Sequence, residues 1–464
     1  MKHTKKFAAA LMCGTILMTA LPLSAVHAEE TADTPAASEP VVMDAVVKFN
    51  GEAAESFSDK VQIEGTKVII TASGNYEFSG ETADGQIDVN IPDKKTDTGT
   101  VKLFFNGVKI TGKSSAAVLI ESAKNTSINI VDGTENFIYD GTTYPEDITA
   151  AVYAKDELTI KSAGEAGTGK LRIEAATQHG LHCTEEVKVT GGNLKIRTDK
   201  GDGLRGKEAV TIKGGDIDIN ADGDGLKSTK GKVDISGGKM EIKAGNDAIQ
   251  AETDLMITGG DIKANGDRGL TAPKGALING GLVFATATVD TPKEGEAAKD
   301  NTFKIAEAST QPVILVQMSE QQLKEQRVVL KDVDSKNVIS KNPNKKFDYI
   351  LLSSPELAVG KTYTLSVNDA DCENGKIELN AAVVNVENVV NKAPRVADEG
   401  DALDINYDGS VDVSDAVLTC RFVSGDSSVT YITDKMVARM DCDKNGTVEM
   451  DDVTVILKRI AHLA

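Results

Sequence analysis

Tryptophan is absent from this chain of 464 residues, and 8 tyrosines with 11 phenylalanines make an aromatic share of only 4%. Together with 42 glycines, that scarcity points to a turn-rich β-protein. Cysteine is sparse too. Beyond Cys13 only Cys183, Cys372, Cys420 and Cys442 remain, with no framework spacing and no Cys-x-x-Cys pair, which excludes a disulfide scaffold and a thiolate metal site. A Cys420–Cys442 bridge is left open. Basic charge is short as well: 51 Lys and Arg face 71 Asp and Glu, for a formal charge of −20. Such a surface repels phosphate and excludes nucleic acid as a partner; polyuronates would be repelled unless calcium bridged the two.

Long apolar runs are missing except at the start, where Lys2, Lys5 and Lys6 precede a run from Phe7 to about Leu23, and Val26, His27 and Ala28 offer a small-residue cleavage site. This is the pattern of a signal peptide over residues 1–28, too short and too well terminated to span a membrane, and Cys13 has no lipobox before it. Its removal takes the charge from −20 to about −23, because the segment holds no acid. A secreted, extracellular protein is expected.

What is present is most informative near the C-terminus. Residues 404–415 and 441–452 are twelve-residue loops with oxygen-bearing side chains at positions 1, 3, 5, 9 and 12 and glycine at position 6. The first offers Asp404, Asn406, Asp408, Ser410, Asp412 and Asp415 around Gly409; the second offers Asp441, Asp443, Asn445, Thr447, Glu449 and Asp452 around Gly446. That is the ligand spacing of a calcium loop. No incoming helix is expected before the first, where Pro394 and Gly400 lie among clustered charge. An apolar helical pattern follows each, through Ala416, Val417, Leu418 and Phe422 in one copy and Val453, Val455, Ile456, Leu457 and Ile460 in the other.

Loop-then-exit-helix duplication, with aspartate at position 12, resembles a type I dockerin over about residues 398–464. The resemblance implies docking to a cohesin domain of a cellulosomal scaffold. It assigns the contacts to Val413, Ser414 and Arg421 in the first copy and to Met450, Asp451, Lys458 and Arg459 in the second. The two copies differ in these residues, so symmetric two-way docking does not follow.

Residues 150–290 repeat. Glycine pairs begin at Gly191, Gly214, Gly237, Gly259 and Gly280, spaced by 23, 23, 22 and 21 residues. Apolar residues alternate around each pair, as in Val187, Val189, Leu194 and Ile196, so strands with one face in and one out are expected. About ten residues ahead of the pairs come His179-Gly-Leu, Asp202-Gly-Leu, Asp224-Gly-Leu, Asp247-Ala-Ile and Arg268-Gly-Leu. Each unit is therefore read as three short strands and three turns, stacked in a right-handed parallel β-helix.

The wording of residues 71–80, 84–87, 103–108, 125–133, 250–254, 347–357 and 360–365 resembles a family of secreted carbohydrate-binding β-helix proteins related to polysaccharide lyases. The expected architecture is thus a signal peptide at 1–28, a linker at 29–41 and a carbohydrate-binding parallel β-helix at 42–290. A β-rich cap at 291–385, a linker at 386–397 and a small α-helical dockerin at 398–464 would follow.

Strands in neighbouring coils lie about 4.8 Å apart, so Asp202, Asp224 and Asp247, with Asp222 beside them, would form a ladder of carboxylates. Like charges that close demand a cation or raise one another's pKa. Two readings stand: a calcium row, or turn aspartates chosen for tight Asp-Gly turns. Three positions on from each come Arg205, Lys227 and Gln250, with His182 in the coil before. Those cations suit a calcium-dependent lyase, with Arg205 or Lys227 as base, or plain charge balance.

The absence of tryptophan weighs against the coplanar aromatic platforms that grip flat glucan. Polar, calcium-mediated recognition of acidic or substituted plant polysaccharide is expected. The reading is a secreted cellulosome component binding plant cell-wall polysaccharide and docking through calcium loops, with a pectate-type lyase and a non-catalytic structural spacer as the alternatives.

Overall fold

The computed structural model describes residues 41–290, 292, 297–392, 402–406, 411–426, 432 and 434–461. The expected signal peptide, most of the 29–41 linker, residues 393–397 of the 386–397 linker, and Asp408, Gly409 and Ser410 lie outside the described residues.

Through each glycine pair the chain runs as one long strand: Glu186–Thr198, Ala209–Ala221, Lys232–Ala244, Leu255–Asn265 and Ala276–Ala287. These pair in parallel, so Val187, Val210, Val233 and Leu255 sit side by side, as do Ile196, Ile219, Ile242 and Ala264. Both rows are buried in one continuous apolar core, as the alternation requires. The register shifts at the glycine pairs. There the second glycine takes positive φ, as at Gly215 with φ 101, and a Cβ at Gly215 would stand 2.9 Å from the Gly192 carbonyl oxygen. Glycine is thus needed both for the bend and for the close stacking of the next repeat.

Between the long strands lie the short ones, His179–Cys183, Leu204–Gly206, Leu226–Ser228, Asp247–Gln250 and Arg268–Thr271, in a second parallel stack. Leu181, Leu204, Leu226, Ile249 and Leu270 of these strands close the same core.

The right-handed parallel β-helix expected from the repeat, with three short strands to each turn, is corrected by this architecture. The chain is mainly β, but it closes as a body of large sheets, one of sixteen strands and one of ten. Each repeat supplies two strands, because the segments before and after a glycine pair are a single bent strand. Pairing turns antiparallel at both ends, as between Val61–Glu64 and Lys67–Ile70 and between Ala276–Ala287 and Phe347–Ser353. The cap expected as a separate unit is partly merged into the body: Phe347–Ser353, Val313–Gln322 and Val383–Val389 extend the sixteen-stranded sheet. A four-stranded antiparallel sheet packs Val328, Leu330, Leu365 and Val367 into a second core that it shares with Phe284, Ile314 and Ile350 of the large sheet.

The described C-terminal residues hold one helix beyond the two exit helices expected. Three helices are described, α1 (Val413–Val423), α2 (Asp434–Met440) and α3 (Met450–Ile460), and α2 leads directly into the second loop. Ala416, Leu418, Met436, Met440, Val453 and Ile456 form their shared core. No helix among the described residues is long and apolar enough to cross a membrane.

Candidate functional site

The turn aspartates do stack, one per repeat, but they are buried: Asp202 is 6% exposed, Asp224 4% and Asp247 1%. Their oxygens are engaged by protein donors in a repeating pattern. Asp202 Oδ1 accepts the Asp224 N–H at 3.0 Å, and Asp224 Oδ1 accepts the Asp247 N–H at 2.9 Å. The second oxygen takes a cation: Arg205 Nη1 lies 3.0 Å from Asp202 Oδ2, and Lys227 pairs with Asp224. Asp247 receives Arg268 in a two-point contact, Nε to Oδ1 at 2.6 Å and Nη2 to Oδ2 at 2.8 Å. Asp222 stands apart as an exposed residue. Asp202, Asp224 and Asp247 thus form a hydrogen-bonded spine in which each buried charge has a counter-ion and Asp202 and Asp224 each a backbone donor as well, the condition for burying carboxylates at all.

Arg205 and Lys227 are therefore the counter-ions of that spine. Arg268, which serves Asp247, was missed in the sequence, where Gln250 occupies the equivalent place three residues on. The signal that could have found it is the register, since Arg268 lies beside Asp247 in the neighbouring short strand.

Two histidines end the spine. The Asp202 N–H donates to His179 Nδ1 at 2.8 Å, so the neutral ring carries its proton on Nε2, and Arg205 finds its acceptor on Asp202. His182 accepts from or donates to Thr149 Oγ1 at 2.7 Å and packs edge-on against Tyr153 and His179. Burial, then the positive charge of Arg205, pushes the His182 imidazole down to about 4, and burial lowers His179 in the same sense. Since the folded value lies below the unfolded one, stability is fully present above about pH 6.5 and is lost as the pH falls toward 4. Denaturant midpoints measured between these limits are expected to fall with acid in the wild type and to fall less steeply in His182→Gln.

The long strands offer a different surface. On their outward face Phe137, Arg172, Lys195, Asp218, Glu241 and Lys263 form one row in register. From Phe137 to Glu241 the row floors a groove of about 490 Å³ that also takes in Lys170, Asn193, Asp216 and Lys239. A second hollow shares Arg172, Lys195 and Asp218 and reaches Asn344. There residues 341–345 wall the end: the Asn344 N–H donates to Asn265 Oδ1 at 2.8 Å, and Lys345 Nζ donates to the Ala244 carbonyl at 2.6 Å. Ion pairs along the groove, such as Lys195–Asp218 at 2.6 Å and Lys170–Glu135 at 2.7 Å, are solvent-exposed. Exposed pairs are worth about 0–1 kcal/mol, so ligand hydroxyls can replace them at little cost.

At the other end of the row Phe137 and Tyr139 are half-buried on the outward face, their rings parallel to within 2° and 6.2 Å apart. Sequence reasoning missed this pair because it weighed the small number of aromatics rather than their placement. The alternation Phe137, Ile138, Tyr139, with Ile138 buried, would have put both rings on one outer face.

In the C-terminal loops, Asp415 and Asp452 are fully buried and pin the two loops identically. Asp415 Oδ1 accepts the N–H groups of Ile405 and Asn406, and Oδ2 that of Asp412; Asp452 does the same for Cys442, Asp443 and Glu449. Gly446 holds φ 91 at the tight turn and its N–H donates to Asp441 Oδ2 at 3.0 Å. Carboxylate oxygens of Asp441, Asp443 and Asp452 converge to within 4.8 Å of one another, and Asp441 Oδ1 is buried without a hydrogen-bond donor. Three converging carboxylates and an oxygen with no donor fit a hard divalent cation. Asn445 and Thr447 bond to one another within this loop, and Asn445 Nδ2 donates to Glu449 Oε1.

Of the residues assigned to partner contact, Val413 and Met450 begin α1 and α3 at matching places and are 58% and 53% exposed. Ser414, Asp451, Lys458 and Arg459 are exposed too, whereas Arg421 is partly buried and donates to Asp426 at 2.8 Å. Val417 and Leu457, read in the sequence as part of the apolar helical pattern, are exposed and add to this surface. Cys420 and Cys442 are free thiols; burial, then the nearby aspartates led by Asp452, pushes Cys442 up to about 12.

Residues 64–314, more than half of the chain, match the family described as carbohydrate-binding domain-containing proteins. The chain belongs to that family. The carbohydrate-binding domain covers the repeats, the spine and the long-strand groove together. A member from Acetivibrio thermocellus, also described as a carbohydrate-binding domain-containing protein, is 35% identical over 141 residues, 29% of this chain and 46% of that relative. The match thus spans about half of the curated relative's length. A solved polysaccharide lyase-like protein from C. thermocellum, studied as a gadolinium derivative, is 32% identical and aligns over 49% of this chain and 91% of its own, with a TM-score of 0.44.

Proposed function

We propose that this carbohydrate-binding protein is secreted and holds plant cell-wall polysaccharide along the outward groove of its long strands. A calcium-loaded C-terminal region would tether it to a cohesin of a cellulosomal scaffold. The observation that carries the binding role is the groove itself, an open trough across several strands floored by in-register polar and charged side chains. A strand spacing of about 4.8 Å gives it the periodic, extended form that suits a polymer rather than a small molecule.

Calcium would be held by Asp441, Asp443 and Asp452, with Asn445, Thr447 and Glu449 completing the shell, and by Asp404, Asn406, Asp412 and Asp415 with Asp408 and Ser410 in the first loop. The ion would supply the charge that lets these carboxylates converge. Support for docking comes from Val413, Val417, Met450 and Leu457, apolar side chains left exposed at the starts and along the outer sides of α1 and α3.

The test is retention of the full chain, with calcium, on gels carrying soluble xylan, glucan or polygalacturonate, and on insoluble cellulose. Retention on at least one polymer is expected, weakened several-fold by Lys195→Ala with Asp218→Ala. No retention on any of them, or retention untouched by these substitutions, would contradict the groove assignment.

A further inference from the structure

The proposed polysaccharide groove has one end unlike the rest, and the following inference rests on that reading. Among the described residues, the parallel phenylalanine rings Phe49 and Phe78 lie in the core, each no more than 1% exposed. Phe137 and Tyr139 are instead a parallel phenylalanine–tyrosine pair on the outside. In a chain with so few aromatics, two half-exposed rings on an outer face leave apolar surface in water that burial in the core would have removed. Phe137 lines the groove directly, and its in-register neighbours are Lys109 and Arg172.

The charge of the groove is also distinctive. Its lining has four basic residues, Lys170, Arg172, Lys195 and Lys239, and four acidic ones, Glu135, Asp216, Asp218 and Glu241. Several are already paired across strands, and the chain as a whole carries −20. A balanced trough in an acidic protein gives no field to draw in a polyanion, whereas paired donors and acceptors suit neutral hydroxyls.

We propose that Phe137 and Tyr139 form a stacking subsite that seats the apolar face of an uncharged pyranose ring, so that the groove takes a neutral polysaccharide rather than a polyuronate. The C–H face of a pyranose is an apolar, slightly positive edge that an aromatic face attracts. The hydroxyls around its rim then meet Lys170, Arg172 and Lys195. This replaces the preference for acidic polysaccharide that follows from composition alone.

The experiment compares the full-length wild type with Phe137→Ala/Tyr139→Ala and with Phe137→Tyr by affinity electrophoresis. The polymers are hydroxyethyl cellulose, arabinoxylan and polygalacturonate, with denaturant midpoints as the folding control. Both rings lie outside the core, so the midpoint of the double variant is expected to stay close to the wild type. Its affinity for the neutral polymer is expected to fall about tenfold or more, while Phe137→Tyr keeps it. Unchanged affinity in the double variant would overturn the stacking subsite and leave the groove standing. Wild-type binding confined to polygalacturonate would overturn the neutral-chain assignment. Retention on none of the polymers would remove the underlying groove reading as well. Should the double variant unfold, Tyr139→Leu with Phe137→Leu keeps apolar bulk without the aromatic face and is expected to show the same loss; binding at the wild-type level there would overturn the subsite.

Discussion

Replacing Asp224 by alanine is expected to destabilise the β-body by about 3 kcal/mol or more, the cost of breaking a buried charged pair. Asp224 is the middle of the spine. Its Oδ1 holds the Asp247 N–H at 2.9 Å, its Oδ2 pairs with Lys227, and its own N–H reaches Asp202 Oδ1 at 3.0 Å. Alanine leaves a lysine ammonium that is only 24% exposed without its partner, and a buried N–H without an acceptor. An unmade buried hydrogen bond alone costs about 1–3 kcal/mol. Asp222→Ala, at an exposed position two residues away, should change stability by no more than about 0.5 kcal/mol. Urea midpoints of the two variants measure the contrast. Equal, small effects would mean that the spine is ornamental. A calcium-induced rise in the β-body midpoint of the wild type that is missing in Asp224→Ala would revive the row as a metal site.

The second large effect is expected from metal removal at the other end of the chain. A chelator should loosen α1 and α3 while leaving the β-body folded, because the carboxylates of Asp441, Asp443 and Asp452 converge to within 4.8 Å of one another and Asp441 Oδ1 is buried without a donor. At a free calcium concentration about a hundredfold above Kd, binding adds about 2.7 kcal/mol of stability. That is a large share for a region whose core is a handful of side chains such as Leu418, Met440 and Ile456. Asp441→Ala should reproduce the chelator's effect without chelator. Asp452→Ala should do more, since Asp452 also holds the N–H groups of Cys442, Asp443 and Glu449. Amide exchange over α1 and α3, with and without calcium, reads this out; identical protection in both conditions would contradict it.

Much of this was legible in the chain because it depends on local spacing. Glycine pairs and alternating apolar residues mark the strands, since positive φ and two-residue periodicity are properties of neighbours. The row of Asp202, Asp224 and Asp247 could be drawn for the same reason. Its burial could not, because it depends on each carboxylate meeting the N–H of the next repeat and a cation whose place only the register reveals. Arg268 took the role that position three would have handed to Gln250. The long strand through each glycine pair was read as two, since a bend and a break look alike in sequence. Helix α2 escaped notice because its seven residues carry too short an apolar pattern to stand out, and it is held by Met436 and Met440 packing into a core shared with α1 and α3. Phe137 and Tyr139 escaped because composition was weighed before position.

The central claim is that polysaccharide lies along the outward face of the long strands and not across the short-strand face with its histidines and spine. Amide hydrogen exchange of the full chain, with and without a saturating neutral oligosaccharide, tests it most directly. Added protection is expected across the groove, at residues 135–139, 170–172, 193–195 and 216–218. Protection confined to residues 179–182, 202–205 and 224–227 would place the ligand on the opposite stack and contradict the account.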